Sequence, residues 1–334
     1  MEKIRIAQIG TSRFSHGPHI WNTLQKQADI FEIVGYAVPE GEAERFPKQV
    51  AAFAGYREMT VEEILNDPTI EAVAIETEEV HLTKYALMAA KAGKHIHMEK
   101  PGGTDVALFR QLIETLKEKK LAFSTGYMYR FNPEVQTAFE KVRRGDLGRI
   151  FSVSAQMDCK LTPEVNPFLE QFPGGMLFYL GCHLIDLVYS IQGMPTEILP
   201  LSCSTGFYGK GLDLGMAVFK YPHGLSYVTT GCNECGGPTR RELVIRGEKG
   251  TIEIRPLELA AADGPYHLYA QSRECYDGSW YGTWQTHRAE AYDRYKTMMA
   301  NFADLIHGKE NPYSYDYELQ LYELLLKACG KELA

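Results

Sequence analysis

The first 125 residues alternate short apolar runs with amphipathic stretches, and this alternation constrains the fold more than any other feature of the chain. The apolar runs are Ile4–Ile9, Phe31–Val38, Ala72–Ile75, His95–Met98 and Leu121–Thr125. The stretches with helical periodicity are His19–Gln27, Gly41–Ala54, Glu79–Ala92 and Asp105–Lys119. Strands that alternate with helices form a parallel sheet covered by helices on both faces. The sequence therefore predicts a doubly wound α/β domain of the Rossmann type over residues 1–125.

The pattern changes in the second part of the chain. Arg149–Lys160 alternates as a half-buried strand does, and Gly174–Gln192 has a long helical pattern. Several strands separated by turns follow between Glu197 and Ala270, and Ala289–Ile306 and Tyr315–Leu333 are predicted helices. Consecutive strands favour an antiparallel or mixed sheet. We expect a second, α+β domain over residues 126–334 with a large, open, mostly antiparallel sheet for substrate binding and oligomerisation, its last helix able to pack back on the first domain.

Composition excludes several classes of partner. The chain has 334 residues and a formal net charge of −8, which argues against binding to nucleic acid or to an anionic membrane surface. No apolar run approaches the roughly 20 residues of a membrane span, and a strand begins at Ile4 where a signal peptide would have its apolar core. Seven scattered cysteines fit a reducing compartment, and Cys232 and Cys235 have no second pair at zinc spacing. We expect a cytoplasmic protein without a metal site.

The loop after the first strand is a candidate phosphate-binding turn. It consists of Gly10, Thr11, Ser12, Arg13, Phe14 and Ser15, with glycine at the first position of G-x-G-x-x-G and serine at the other two. In a Rossmann unit this turn and the next helix N-terminus hold the pyrophosphate, although an ordinary strand–helix loop fits the bare motif equally well. Val38 stands where an acid would bind the adenosine ribose, Glu40 comes two places later, and Arg13 is positioned to contact a phosphate. The choice between NAD and NADP stays open.

Four further motifs, in order and spread over the chain, resemble those of the Gfo/Idh/MocA family, named for glucose–fructose oxidoreductase, inositol dehydrogenase and a rhizopine-catabolism protein. They are the segment Val73–His81, the run Ala90–Pro101 with its Glu99-Lys100-Pro101, the segment Gly126–Pro133, and the segment Gly174–Asp186. The resemblance covers essentially the whole chain. It implies an NAD(P)-dependent dehydrogenase or reductase acting mostly on sugars, polyols and related carbonyl compounds.

The resemblance also assigns roles to individual residues. Lys100 would lie beside the nicotinamide and the reacting carbon, where an ammonium stabilises alkoxide character. His183 would be the proton acceptor in alcohol oxidation, a role that suits imidazole. The cofactor would contact the turn from Gly10 to Phe14, together with Thr77, His81, Glu99 and Lys100. Apart from the resemblance, Arg130, Asp186 and Trp284 are candidate substrate residues. Trp284 lies in the aromatic segment Tyr276–His287, which is either a sugar-stacking lid or a packed interface loop, the second being slightly favoured. The family also oligomerises through its C-terminal sheet, which implies a homodimer or homotetramer.

The chain departs from the family pattern at several positions. Tyr179 stands where the family has an Asp four residues before the catalytic His. On one continuous helix Tyr179, His183 and Asp186 share a face. A nearby ammonium such as Lys100 stabilises a phenolate, so Tyr179 is either a third catalytic residue or a side chain that only shapes the pocket. Glu78 and Glu79 replace Pro and Asn, and their negative charge would weaken cofactor binding.

Three hypotheses of function follow from these patterns. The leading one is a dehydrogenase for a sugar or polyol hydroxyl. A glycosidase of the same family, which keeps its NAD and oxidises the sugar only transiently, is the second, and net NADH formation separates the two. A sensor that binds a nucleotide or sugar without catalysis is the third. Lys100 and His183 argue against the sensor, while Tyr179 and Ser12 argue for it.

Overall fold

The computed structural model describes residues 2–207, 209–262 and 264–333, which form two compact units. Unit 1 comprises Met1–Tyr127 and Tyr295–Tyr322, and unit 2 comprises Met128–Arg294 and Glu323–Ala334. The first unit therefore takes in a C-terminal segment as well as the first 127 residues. In this respect the structure differs from a simple division of the chain at residue 125.

Unit 1 is built on a five-stranded parallel sheet in the order β2-β1-β3-β4-β5. Its strands are β1 (Ile4–Ile9), β2 (Phe31–Ala37), β3 (Ala72–Ile75), β4 (His95–Met98) and β5 (Phe123–Thr125). Its helices are α1 (Gly17–Lys26), α2 (Glu42–Arg45), α3 (Pro47–Val50), α4 (Val61–Asn66), α5 (Leu82–Lys91), α6 (Val106–Lys119) and, later in the chain, α11 (Lys296–Ile306). A 3₁₀ turn follows α3 at Ala51–Phe53. The doubly wound parallel fold predicted from the alternating pattern is confirmed.

Unit 2 is built on an eight-stranded sheet in the order β15-β14-β11-β10-β6-β9-β8-β7. Among the strand pairs that the structure describes in this sheet, only β6–β9 is parallel. The strands are β6 (Ile150–Gln156), β7 (Glu197–Cys203), β8 (Leu214–Tyr221), β9 (Gly224–Gly231), β10 (Glu242–Gly247), β11 (Thr251–Ile254), β14 (Gln271–Cys275) and β15 (Gln285–Arg288). A smaller sheet contains β12 (Leu259–Ala261), β13 (Gly264–Tyr269) and β16 (Tyr292–Asp293). The predicted mostly antiparallel sheet is confirmed.

The helices of unit 2 come before and after β6 in the sequence. They are α7 (Pro133–Arg144), α8 (Asn166–Leu169), α9 (Met176–Tyr179) and α10 (Cys182–Gln192), with 3₁₀ turns at Met128–Phe131, Pro163–Val165 and Gly237–Arg240. The last helix, α12 (Tyr315–Ala328), contributes residues to both units. No helix within the described ranges is both long and apolar enough to cross a membrane.

Local sequence explains where these helices begin and end, as α7 illustrates. The Asn132 side chain accepts hydrogen bonds from the backbone N–H groups of Glu134 and Val135, and Pro133 occupies the first helical position. The first N–H groups of a helix have no partners within the helix. The Asn132 side chain accepts two of them, and Pro133 has no N–H group to satisfy. Gly145 then ends the helix with a φ of 76°, a left-handed conformation that glycine adopts without steric cost.

Several predicted helices are shorter than expected. Residues 41–54 form three separate short turns, because Pro47 lacks a backbone N–H and begins a new turn. The predicted helix 79–92 begins only at Leu82, and 289–306 begins only at Lys296 after the β16 strand. The last helix ends at Ala328, before Gly330 at a φ of 81°.

The prediction of one helix over 174–192 is wrong, because the structure has two. The backbone N–H of Gly181 bonds to the Met176 carbonyl five residues back, which shifts the helical phase between α9 and α10. A Cβ at Gly181 would lie 2.6 Å from the Leu177 carbonyl oxygen, so only glycine allows this approach. Tyr179 and His183 therefore belong to different helices, and the expectation that they share one helical face with Asp186 is not met.

Candidate functional site

In unit 1 the candidate phosphate-binding turn follows β1. Gly10 has a φ of 88°, and a Cβ there would lie 2.6 Å from the backbone nitrogen of Thr77. Ser12 and Ser15 exchange hydrogen bonds, each hydroxyl accepting the other residue's backbone N–H at 2.9–3.0 Å. The two serines thus stabilise a compact turn in front of α1. Arg13, at the tip of the turn, is exposed.

A carboxyl group that the sequence did not single out lies against this turn. Glu42, the first residue of α2, is fully buried, and its Oε2 accepts the backbone N–H of Thr11 at 3.0 Å. Burial raises the pKa of Glu42 to about 8. The strand β2 ends without the acid that commonly binds the adenosine ribose, and Glu42 brings a carboxyl group to the turn from the following helix.

Two ion pairs surround Glu42. The guanidinium of Arg45 donates two hydrogen bonds to the Glu78 carboxylate, at 2.6 and 2.9 Å. Glu40 accepts hydrogen bonds from Lys84 at 2.6 Å and from the Tyr85 hydroxyl at 2.7 Å, and these contacts lower the pKa of Glu40. His81, at the start of α5, lies 3.9 Å from Glu40. The charge of Glu78 is therefore compensated within the turn region.

Lys100 lies at the carboxyl ends of β3 and β4 in a buried group of ionisable side chains. The members, all within 1% of complete burial, are Glu76, Glu79, His97, Glu99 and Lys100. The Lys100 Nζ lies 3.8 Å from a Glu99 oxygen, and His16 Nδ1 lies 3.2 Å from the same oxygen. Parallel α/β sheets bind ligands at this edge. The arrangement is therefore a candidate reaction site on unit 1.

The carboxyl groups of this cluster differ in charge state. Burial raises the pKa of Glu79 to about 8 and raises that of Glu76 well above its ordinary value. Burial also acts to raise the pKa of Glu99, but the neighbouring His16 and Lys100 outweigh it, so the pKa of Glu99 lies below its ordinary value. Burial thus favours the neutral forms of Glu76 and Glu79, whereas the charges beside Glu99 favour its ionised form. Burial therefore opposes the additional negative charge expected from Glu79.

In unit 2, His183 lies in the first turn of α10 and is 1% exposed. The Tyr129 ring meets it edge-on, with ring centroids 5.5 Å apart. The Tyr129 hydroxyl donates a hydrogen bond to Glu258 at 2.8 Å, and Arg241 and Arg294 also bind that carboxylate. These bonds hold the Tyr129 ring in place, and the His183 imidazole packs against that ring.

Tyr179 is half-buried at the end of α9, where its ring packs edge-on against Phe168 with a centroid separation of 5.0 Å. The same aromatic group includes Phe172, which packs against Phe168 at 4.8 Å. The ring of Tyr179 is therefore positioned by apolar packing within unit 2.

Arg130 and Asp186 form a buried ion pair in unit 2. The guanidinium donates from its Nη2 to Asp186 Oδ1 at 2.8 Å and from its Nε to Oδ2 at 3.0 Å, and both side chains are at most 3% exposed. The pair ties the segment after Tyr127 to the middle of α10, three residues beyond His183.

Trp284 lies at the edge of the eight-stranded sheet, where the Arg273 guanidinium stacks on its ring at 4.6 Å. It lines a cavity of about 280 Å³ together with the turn before β11 and the loop between β14 and β15. The loop presents Trp280 and Tyr281, which are 95% and 90% exposed.

The residues of unit 1 fit a dinucleotide. The absence of a Cβ at Gly10 lets the turn pack closely against Thr77, and α1 follows the turn directly with its N-terminus available to a phosphate. Neither carboxylate oxygen of Glu76 or of Glu79 has a hydrogen-bond partner among the described residues. Among those residues, no group of three or more His, Cys, Asp or Glu side chains is arranged to hold a metal ion.

Comparison with known proteins decides the family. Residues 4–127 match the family model described as the oxidoreductase family with an NAD-binding Rossmann fold, and residues 135–253 match the GFO/IDH/MocA C-terminal domain. The chain belongs to the Gfo/Idh/MocA family. The resemblance inferred from the motifs is confirmed, and unit 1 contains the NAD-binding Rossmann fold of the family.

Individual relatives are more distant. The chain is 31% identical over 139 residues to the uncharacterized oxidoreductase YhhX of Escherichia coli, covering 41% of this chain and 40% of that protein. It is 29% identical over 141 residues to the scyllo-inositol 2-dehydrogenase (NADP(+)) IolW of Bacillus subtilis, covering 41% and 39%. These alignments span about two fifths of each relative.

A structural comparison covers nearly the whole chain. KijD10, a 3-ketoreductase from Actinomadura kijaniata solved with TDP-benzene and NADP, superposes with a TM-score of 0.77 at 18% identity. The superposition covers 98% of this chain and 96% of KijD10. At this identity the likeness establishes the shared fold.

Proposed function

We propose that this chain is an NAD(P)-dependent oxidoreductase that transfers hydride between the nicotinamide cofactor and a hydroxyl or carbonyl group of a sugar, polyol or related compound. The observation that carries the proposal is the buried Lys100 at the carboxyl end of β4, within a family-matched NAD-binding domain. Relatives named as a scyllo-inositol dehydrogenase and a 3-ketoreductase support the substrate class.

The cofactor, when bound, supplies the hydride acceptor or donor. We assign to this chain's residues the binding and the proton chemistry. The turn from Gly10 to Phe14, with Thr77, His81, Glu99 and Lys100, holds the cofactor. The Lys100 ammonium donates a hydrogen bond to the substrate oxygen and stabilises its negative charge as the hydride leaves. His183 accepts the hydroxyl proton, and Tyr179 contacts the substrate.

Replacing His183 with alanine tests the proton-transfer assignment. We expect turnover to fall by about 10²-fold or more, because general acid–base catalysis contributes at least this much, while cofactor affinity stays within about twofold. Steady-state kinetics and NADH fluorescence titration measure the two quantities. His223→Ala, in the turn between β8 and β9, is the control for loss of an imidazole. Turnover of His183→Ala close to that of the wild type would move proton transfer to another residue.

Glu42 leads us to propose that NAD is preferred to NADP. The Glu42 carboxyl group accepts a hydrogen bond from a 2′-hydroxyl whether or not it is ionised, whereas the Glu40 and Glu78 carboxylates disfavour the added negative charge of a 2′-phosphate. Glu40 and Glu78 already lie in this region, and their cations, Lys84 and Arg45, are engaged with them. The relative IolW is named for NADP(+), so the preference for NAD is proposed for this chain and not for its relatives.

Titration with NADH and NADPH by fluorescence measures this preference. The wild type is expected to bind NADH at least about tenfold more tightly, since a repelled phosphate costs on the order of 1.4 kcal/mol or more. Glu42→Ala should reduce the preference, and Glu44→Ala, exposed on the same helix, should not. Equal or tighter binding of NADPH by the wild type would contradict the assignment of Glu42.

We also propose that the chain forms a homo-oligomer through the eight-stranded sheet. One face of β7, β8 and β9 carries Leu199, Leu201, Leu214, Leu225 and Tyr227, which are 40–58% exposed and aligned by the strand register. The other face carries Ala217, Phe219 and Val228, which are fully buried. An apolar patch of this kind on a sheet commonly marks a protein interface.

Light scattering after size-exclusion chromatography tests this proposal. The wild type is expected at twice or four times the chain mass of 37.7 kDa. Leu199→Glu combined with Tyr227→Glu should shift it to the single-chain mass, because burying two carboxylates at an interface is strongly unfavourable. Met88→Glu, on a comparably exposed residue of unit 1, should leave the mass unchanged. A wild type of single-chain mass would refute the interface.

A further inference from the structure

The carboxyl group of Glu79 is buried without a hydrogen-bond partner. It follows β3 at the edge of the sheet where parallel α/β folds bind their ligands, and it is fully buried. Neither of its oxygens has a hydrogen-bond partner on another described residue. A buried polar group left in this state destabilises the folded protein. Such a group in a ligand-binding region therefore indicates a contact that the ligand completes.

Burial is the largest cause of the raised pKa of Glu79, and among the neighbouring charges Lys100 acts to lower that pKa. Its ionisable neighbours at the ends of β3 and β4 and before α5 are Glu76, Glu78, Glu99 and Lys100. Arg45 binds Glu78, while Lys100, which lies 3.8 Å from Glu99, acts to lower the pKa of Glu79 without outweighing burial. Burial raises the pKa of Glu79 to about 8. In its neutral form the side chain has an O–H donor, which a carboxylate lacks.

We propose that Glu79 is a cofactor-binding residue that contacts the nicotinamide cofactor as a neutral carboxylic acid, donating its O–H to an acceptor oxygen of the cofactor. This rests on the proposed cofactor-binding function of unit 1. A buried acid that is kept neutral so that it can donate a hydrogen bond is an established use of a carboxyl group in enzymes. The family pattern has Asn at this position, so Glu79 replaces an amide N–H donor with a carboxylic acid O–H donor.

The proposal has a consequence for binding as a function of pH. Because the neutral form binds, affinity is constant below the pKa of Glu79 and decreases as the pH rises above about 8. The decrease approaches about tenfold per pH unit, since binding then requires the uptake of one proton. Ionised Glu79 would also repel the cofactor phosphates, which acts in the same direction.

Glu79→Gln is the decisive variant, because glutamine keeps an N–H donor of similar size and does not ionise. NADH dissociation constants are measured by fluorescence from about pH 6.5 to 9.5 for the wild type, Glu79→Gln and Glu44→Gln. Glu42 is present in all three proteins, so its own titration cancels in the comparison. We expect Glu79→Gln to match the wild type within about threefold at pH 7 and to bind at least about tenfold more tightly at pH 9.5. Glu44→Gln, at an exposed position of α2, should follow the wild-type profile.

Calorimetry of the wild type gives a second measurement that needs no variant. NADH titrations at about pH 8.5 in two buffers of different ionisation enthalpy should report the uptake of a proton on binding. A wild type that binds NADH without proton uptake, or a Glu79→Gln protein whose affinity falls with pH as the wild type's does, would overturn the proposal. A wild type that binds neither NADH nor NADPH at any pH would instead refute the proposed function.

Discussion

Replacing Lys100 with methionine is expected to lower turnover by about 10²–10³-fold. The ammonium is 1% exposed, in a region of low dielectric where a donor to a developing alkoxide acts most strongly. Methionine keeps the length of the side chain and removes the charge. Stopped-flow measurement of NADH formation gives the rate. Lys91→Met, on the exposed end of α5, is the control and should keep wild-type turnover. A Lys100→Met enzyme with turnover within about fivefold of the wild type would remove Lys100 from the reaction.

Tyr179 is tested in the same assay, since two roles for it stay open. If its hydroxyl is an acid or base, Tyr179→Phe should lower turnover by about 10²-fold, and the Lys100→Met/Tyr179→Phe double variant should lose less than the product of the single losses. If the ring only shapes the pocket, Tyr179→Phe will raise the Michaelis constant more than it lowers turnover. The packing of the ring against Phe168 supports the second role. Full activity of Tyr179→Asp together with a mild Tyr179→Phe would exclude the tyrosine as an acid.

Replacing Arg130 with methionine is expected to lower the free energy of unfolding by about 3–5 kcal/mol. The substitution leaves the Asp186 carboxylate 1% exposed and without its bidentate partner, and a single buried charge is far more costly than a buried pair. Urea unfolding followed by circular dichroism measures the change. The double variant Arg130→Met/Asp186→Leu should recover much of the loss, because both charges are then absent.

The Arg144–Asp146 pair provides the matched control for this prediction. Its side chains are 61% and 35% exposed, so Arg144→Met should leave the free energy of unfolding nearly unchanged. If Arg130→Met were as mild as Arg144→Met, the buried pair would not stabilise unit 2. Arg130 and Asp186 would then be better explained by the contact with substrate that the sequence predicts for them.

The sequence predicted the architecture because both sheets have strong local patterns. The buried strand Ala72–Ile75 and the helix that follows it are sufficient to indicate a parallel α/β unit. Helix boundaries were less predictable where backbone geometry depends on tertiary contacts. The break between α9 and α10 arises from the approach of Gly181 to the Leu177 carbonyl, and the sequence pattern around it is that of a continuous helix.

Part of the candidate site was not predictable from local pattern. Glu42 lies in an acidic run, with Glu40 and Glu44 near it, and only the fold shows that its carboxyl group reaches Thr11. The bonds between Arg45 and Glu78 join residues 33 positions apart. The sequence alone therefore could not show that Arg45 compensates the charge of Glu78. The missing acid at the end of β2 was the one available signal, because it indicated that another residue had to serve the ribose.

We propose that hydride passes between a nicotinamide cofactor and a sugar or polyol with Lys100 taking part. A panel of sugars and polyols with NAD and NADP, read at the nicotinamide absorbance for the wild type and Lys100→Met, is the decisive experiment. We predict net NADH formation with at least one member of the panel, faster with NAD than with NADP, and about 10²–10³-fold slower in Lys100→Met. An enzyme that binds the cofactor and shows no net change in absorbance with any member, or an equal rate in both proteins, would contradict the claim.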